Sequence, residues 1–139
     1  MTLPPFQDLF PESEAYRQIQ PLRIPAGWRV DWNKLQTGLD ADLTQVGGSS
    51  LYNATNAGRR FNIDVEYKPE FDPVGAFHLT VLYQPWPRSP QGRRFKDAPF
   101  RLGPDAECVH TSETRAYPDL IASLEHWIAR CTVWVREGS

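Results

Sequence analysis

Two neighbouring stretches of the chain alternate so cleanly that they leave little choice of fold. Residues 61–67 place Phe61, Ile63, Val65 and Tyr67 on one side and Asn62, Asp64 and Glu66 on the other. Residues 77–83 repeat the arrangement, with Phe77, Leu79, Val81 and Tyr83 against His78, Thr80 and Leu82. A side-chain period of two is the mark of a strand with one face buried. The connection, 68–75, holds Pro69, Pro73 and Gly75. It is longer than a tight two-residue turn but short enough to return the chain antiparallel. A third alternating run starts after the turn at Pro25 and Gly27, with Trp28, Val30 and Trp32 against Arg29, Asp31 and Asn33. The first three are expected to point inward together.

A sheet with one apolar face needs a cover, and the C-terminal segment predicts one. Pro118 suits a first helical turn, and Asp119 complements the positive end of the dipole. Leu120, Leu124, Trp127, Ile128, Cys131, Trp134 and Val135 then recur at helical spacing until Gly138. Residues 106–112 predict a last strand with Cys108 near its middle. Leu39, Leu43 and Val46 have helix-like spacing, but 36–60 is otherwise rich in turn residues, and only Leu51 and Tyr52 suggest a brief strand. A short N-terminal helix is expected over 12–20, between Pro11 and Pro21. The expectation is one α+β domain over 1–139: an antiparallel sheet packed against a C-terminal helix, with a short N-terminal helix.

The formal net charge of −2 argues against the chain as a whole being a nucleic-acid binder. No apolar run approaches the roughly 20 residues of a membrane helix. The first ten residues lack the basic and apolar regions of a signal peptide, so a cytoplasmic location with no membrane partner is expected. The two cysteines, Cys108 and Cys131, make neither a disulfide framework nor a metal-type CxxC pair. Both read as small buried hydrophobes. Cys108 and His110 would share a strand face, but none of the three histidines pairs with another ligand at helical spacing. No metal and no cofactor are expected. There is no nucleophile elbow, and Gly47-Gly48-Ser49-Ser50 lacks the following Lys-Ser or Lys-Thr of a phosphate loop.

Two groups of residues remain. Asp64 and Glu66 share the outward face of one strand, beside His78 and Thr80 of the next. With Asp31, Glu70 and Asp72 they would form an acidic surface. General acid–base work there would need burial or a like-charge neighbour to shift a pKa; the plain reading is a solvated outer face. The second group is the long loop 85–104, where Arg88, Arg93, Arg94, Lys96 and Arg101 interleave with Trp86, Phe95 and Phe100. Loops of that length are often functional, and this composition suits single-stranded nucleic acid, an acidic protein surface or a plain solvated loop.

The order Ile24-Pro25-x-Gly27-Trp28-x-Val30-x-x-Asn33, Phe61-x-Ile63-Asp64-Val65-x-Tyr67-x-Pro69-Glu70, Gly75-x-Phe77-x-Leu79 and Leu124-Glu125-x-Trp127-Ile128 is similar to that of a family of small bacterial proteins. Those proteins carry "I-P-x-G-W", "I-D-x-x-W/Y-x-P-E", "G-x-F/Y-x-L" and a closing "I-E-x-W-L". They resemble immunity proteins encoded beside polymorphic toxins of the Rhs and contact-dependent types. The resemblance implies a non-catalytic binding protein that neutralises a cognate toxin by direct contact. It brings no catalytic residue with it. Charge complementarity would speed such an encounter, and buried anchors would slow its dissociation. Asp31, Asp64, Glu66, Glu70 and Asp72, with His78, could meet a basic toxin. Alternatively Trp86, Arg93, Arg94 and Phe95 could plug an active site. A small enzyme using Asp64, Glu66 and His78, a nucleic-acid accessory domain using the Arg-rich loop, and a homodimer stay open.

Overall fold

The computed structural model describes residues 19–47 and 50–136. Five strands run in sequence order across one antiparallel sheet: β1 (Arg29–Asn33), β2 (Ser50–Asn56), β3 (Phe61–Lys68), β4 (Ala76–Tyr83) and β5 (Glu107–Thr114). Helix α1 (Tyr117–Val133) follows directly. Each strand lies beside its neighbour in sequence, the arrangement that local connections favour.

The β3–β4 pair forms the centre, in unbroken register from Phe61 opposite Tyr83 to Lys68 opposite Ala76. Its predicted inward residues are buried, seven of them at 0–1% exposure and Tyr83 at 3%. Tyr52 and Ala54 extend this apolar face across β2. α1 lays Tyr117, Leu120, Leu124, Ile128 and Cys131 on it. Rings interlock where the layers meet: Phe77 lies 5.6 Å from Tyr117, and Phe61 stacks on Trp134 at 5.3 Å. The helix ends at Val133, earlier than the sequence stripe suggests. Trp134 stays on the core as its cap, while Val135 is 60% exposed.

The outer three strands depart from simple alternation, each through a bulge. In β1 the register shifts at Asp31, so Val30 lies opposite Ala54 but Trp32 lies opposite Asn53. Trp28, Val30 and Trp32 therefore do not share a face. Val30 and Trp32 are 40% and 43% exposed, and only Trp28 of the three packs against the core. β2 runs on through Asn53–Asn56, where turn residues were expected, because it is paired on both sides. In β5 the shift falls at Val109. Cys108 then lies opposite Leu82 on the outer face and His110 opposite Val81 on the inner one. They do not share a face, and Cys108 is exposed rather than buried. His110 stacks instead on Trp127 of α1 at 4.4 Å. Cys131 is buried as expected, and burial pushes its thiol up to about 12.

Residues 39–41 and 43–45 form two short 3-10 turns rather than a helix. The helix expected over 12–20 lies outside the described residues except at its end, where Ile19 bridges to Gln36 in extended form. In the β3–β4 loop, the ring of Phe71 packs over Gly47, in the space a Cβ on that residue would take.

Candidate functional site

The face of the sheet turned away from α1 is polar and wired together. The β1 bulge aims the Asp31 carboxylate at β2, where Thr55 Oγ1 donates to it at 2.9 Å. Asn62 Nδ2 donates to Thr55 Oγ1 at 3.0 Å and to Asn53 Oδ1 at 2.9 Å. Asn53 Nδ2 in turn donates to Asp64 Oδ1 at 3.1 Å, as does Ser50 Oγ. Trp32 Nε1 closes the chain by donating to Ser50 Oγ at 2.9 Å. Thr55 and Asn62 are buried within this ladder, at 3% and 5% exposure. Burial pushes the Asp64 carboxyl above its ordinary value, although the hydrogen bonds from Asn53 and Ser50 pull the other way.

Farther along the same face, Glu66 lies opposite His78 and Asp64 opposite Thr80, as the alternation predicts. Glu66 is engaged by Lys68 at 2.7 Å, and His78 Nδ1 lies 3.6 Å from Glu113 on β5. Glu70 is exposed in the β3–β4 loop beyond that end. Asp72 braces the loop: its Oδ1 accepts from the Val74 amide, and its carbonyl accepts from the Tyr67 hydroxyl. Asp31, Asp64, Glu66, Glu70, Asp72 and His78 thus fall on one face and the loop that continues it.

The basic group sits at the other end of the hairpin, where Phe61 pairs with Tyr83. Its anchor is Arg60, which closes the β2–β3 turn with φ of 69° and is only 2% exposed. Arg60 Nε donates to the Gln84 carbonyl at 3.1 Å, and its guanidinium lies 4.4 Å from the centre of the Trp86 ring. Gln84 ties both ends of the long loop together, donating to Asp105 at 2.8 Å and accepting from the Gly103 amide at 2.8 Å. Inside the loop, Arg88 bridges to Arg94 around a turn at Gly92. Arg93, Arg94 and Phe95 line a cleft of about 530 Å³ with Arg88, Lys96 and Asp97. Trp86 lines an adjoining one of about 210 Å³ with Gly58, Arg59, Arg94, Lys96 and Arg136.

Sequence reasoning missed Arg59, Arg60 and Arg136 because they lie outside the basic loop. Arg59-Arg60 directly before the strongest strand was the available signal; nothing local marks Arg136. Of the two sets anticipated, the loop residues are brought together at the Phe61–Tyr83 end, whereas the acidic ones are spread along the sheet face, with Asp31 beside Thr55 near that same end, Asp64 midway, and Glu70 and Asp72 in the loop at the far end.

No family model, curated protein or solved structure matches this chain. The reading of its function therefore rests on the residues themselves. Among the described residues no group of three or more metal-type ligands converges, and no helix is long and apolar enough to cross a membrane.

Proposed function

We propose that this chain is a non-catalytic binding protein of immunity type, which neutralises a basic toxin by seating it on the outer face of the sheet. One observation carries the reading: the hydrogen-bonded ladder from Asp31 to Trp32. It holds Asp31 and Asp64 on rigid strands, so little side-chain freedom is lost on docking. The half-exposed Trp32 ring at its end is the kind of aromatic anchor on which binding energy concentrates. Arg29 pairs with Asp31 at 2.6 Å and Lys68 with Glu66 at 2.7 Å, while Glu113, Glu70 and Asp72 continue the acidic surface, which suits a partner of opposite charge and speeds the encounter. The alternative of an acid–base site is less well supported. Asp64, Glu66 and His78 are each engaged by a different neighbour, and the clefts described above open at the other end of the hairpin.

The test is affinity capture of the tagged chain from its native cells, followed by co-expression with the captured protein. The expected result is one basic protein that arrests growth when expressed alone and is harmless when this chain is present. Removing the ladder's contact groups together, as Trp32→Ala with Asp64→Asn, should restore growth arrest. A chain that captures no such protein, or that protects equally well with both groups removed, contradicts the proposal.

A further inference from the structure

We propose that the basic pole is a second, separate site that binds a small ligand through a phosphate-type oxyanion. The chain carries a net charge of −2, yet the described lining of the two adjoining clefts includes Arg59, Arg88, Arg93, Arg94, Lys96 and Arg136 with one carboxylate, Asp97. Arg136 is partly balanced by Glu107 at 3.0 Å, and Arg59 Nε donates to the Thr132 carbonyl. No ion pair among the described residues engages Arg94 or Lys96, the two residues the clefts share.

Behind the clefts lie two buried groups whose bonding is incomplete. Among the described residues Arg60 Nη1 and the Tyr83 hydroxyl have no hydrogen-bond partner, as is also true of the Tyr52 hydroxyl elsewhere in the core; the Arg60 guanidinium contacts both the Trp86 and Phe100 rings. Arg60 packs under Trp86, and Tyr83 packs under Arg136 at 4.7 Å; both covering residues line the smaller cleft. Unsatisfied buried polar groups are rare in folded chains and call for an explanation such as a bound ion or ligand. Burial lowers the Arg60 pKa, but a guanidinium keeps its charge, so Arg60 adds to the positive field at this end.

The chemistry fits an oxyanion. Guanidinium groups match phosphate oxygens in pairs, and Lys96 supplies a point charge. The larger cleft is of a size that holds small molecules, and Phe95 there and Trp86 in the smaller one offer aromatic walls for an organic part. A nucleic-acid strand would need a positive groove that tracks its backbone. Here the charge is confined to one pole, and the adjoining sheet face is acidic.

Calorimetric titration of the full chain with inorganic pyrophosphate, at ionic strength held constant with sodium chloride, tests the site. Saturable one-site binding is expected, at least ten-fold weaker in the Arg94→Gln/Lys96→Gln double variant. Both residues are exposed, so that variant should melt like the parent. Val74→Ala, in the exposed β3–β4 loop at the far end of the hairpin, should leave the affinity unchanged. A nucleoside diphosphate binding more tightly than pyrophosphate would assign the aromatic walls to an organic moiety; equal affinity would assign the site to free polyphosphate. Absence of saturation, equal binding by the double variant, or single-stranded oligonucleotide binding that pyrophosphate does not displace would overturn the proposal.

Discussion

Asp64 accepts two hydrogen bonds and is still held above its ordinary pKa, because burial outweighs its donors. A carboxyl raised in the folded state favours folding when protonated, and that advantage is lost as pH rises through the folded pKa. Asp64→Asn keeps an acceptor for Ser50 and Asn53 without the charge. Its melting temperature relative to the parent should therefore be unchanged in acid and should rise toward neutral pH, readable by circular dichroism at a series of pH values. Asp64→Ala strands both donors instead and should cost about 1–3 kcal/mol in urea denaturation. Arg60 answers to the same accounting of buried partners. Arg60→Met keeps the stem but leaves the Gln84 carbonyl without its side-chain donor and the Pro85 carbonyl with Gln84 Nε2 alone. A loss of about 2 kcal/mol is expected, with faster amide exchange across 85–104. Asp64 was legible in the sequence because strand alternation places it. Arg60 was not: its role depends on a left-handed turn and on the hairpin register that sets it opposite Gln84.

At the level of elements, the β3–β4 hairpin and α1 could be read directly, since each carries its own period over several residues. The outer strands could not be read to the same depth. A bulge is one extra residue whose place is set by the partner strand, so Trp28, Val30 and Trp32 look identical in sequence before Asp31 interrupts their register. The same blindness put Cys108 and His110 on one face when Val109 divides them. In β2, Asn53 to Asn56 read as turn, yet pairing of Asn53–Thr55 with both β1 and β3, and of Asn56 with β3, makes them strand. Helix burial separates two residues of the predicted stripe. Leu124→Ala opens a cavity under α1 and should destabilise by about 2–5 kcal/mol. Val135→Ala, past the helix end and exposed, should change stability by less than about 0.5 kcal/mol. Chemical denaturation of both variants makes the comparison.

Across the whole molecule, charge is divided along the hairpin. Acidic groups run along the outer sheet face from Asp31 and Asp64 to the β3–β4 loop; basic groups gather at the Phe61–Tyr83 end, about 20 Å from that loop for six residues of strand. Both sets were visible as local composition. Their separation was not, because only the register shows which end of each strand a loop leaves. The division gives the two sites opposite preferences. Association with a basic partner at the sheet face should slow as salt is raised, with dissociation changing less, since screening acts mainly on the encounter. Stopped-flow rates at two ionic strengths would show this.

The central claim is that the outer sheet face is the surface that holds the partner. Calorimetry of the purified partner against the parent chain, Trp32→Ala/Asp64→Asn and Arg94→Gln/Lys96→Gln tests it most directly. The account predicts nanomolar affinity for the parent, a loss of about 30-fold or more for the sheet-face variant, and little change for the variant at the basic pole. Full affinity in the sheet-face variant with loss in the basic-pole variant would contradict it and place the partner at the opposite end of the hairpin.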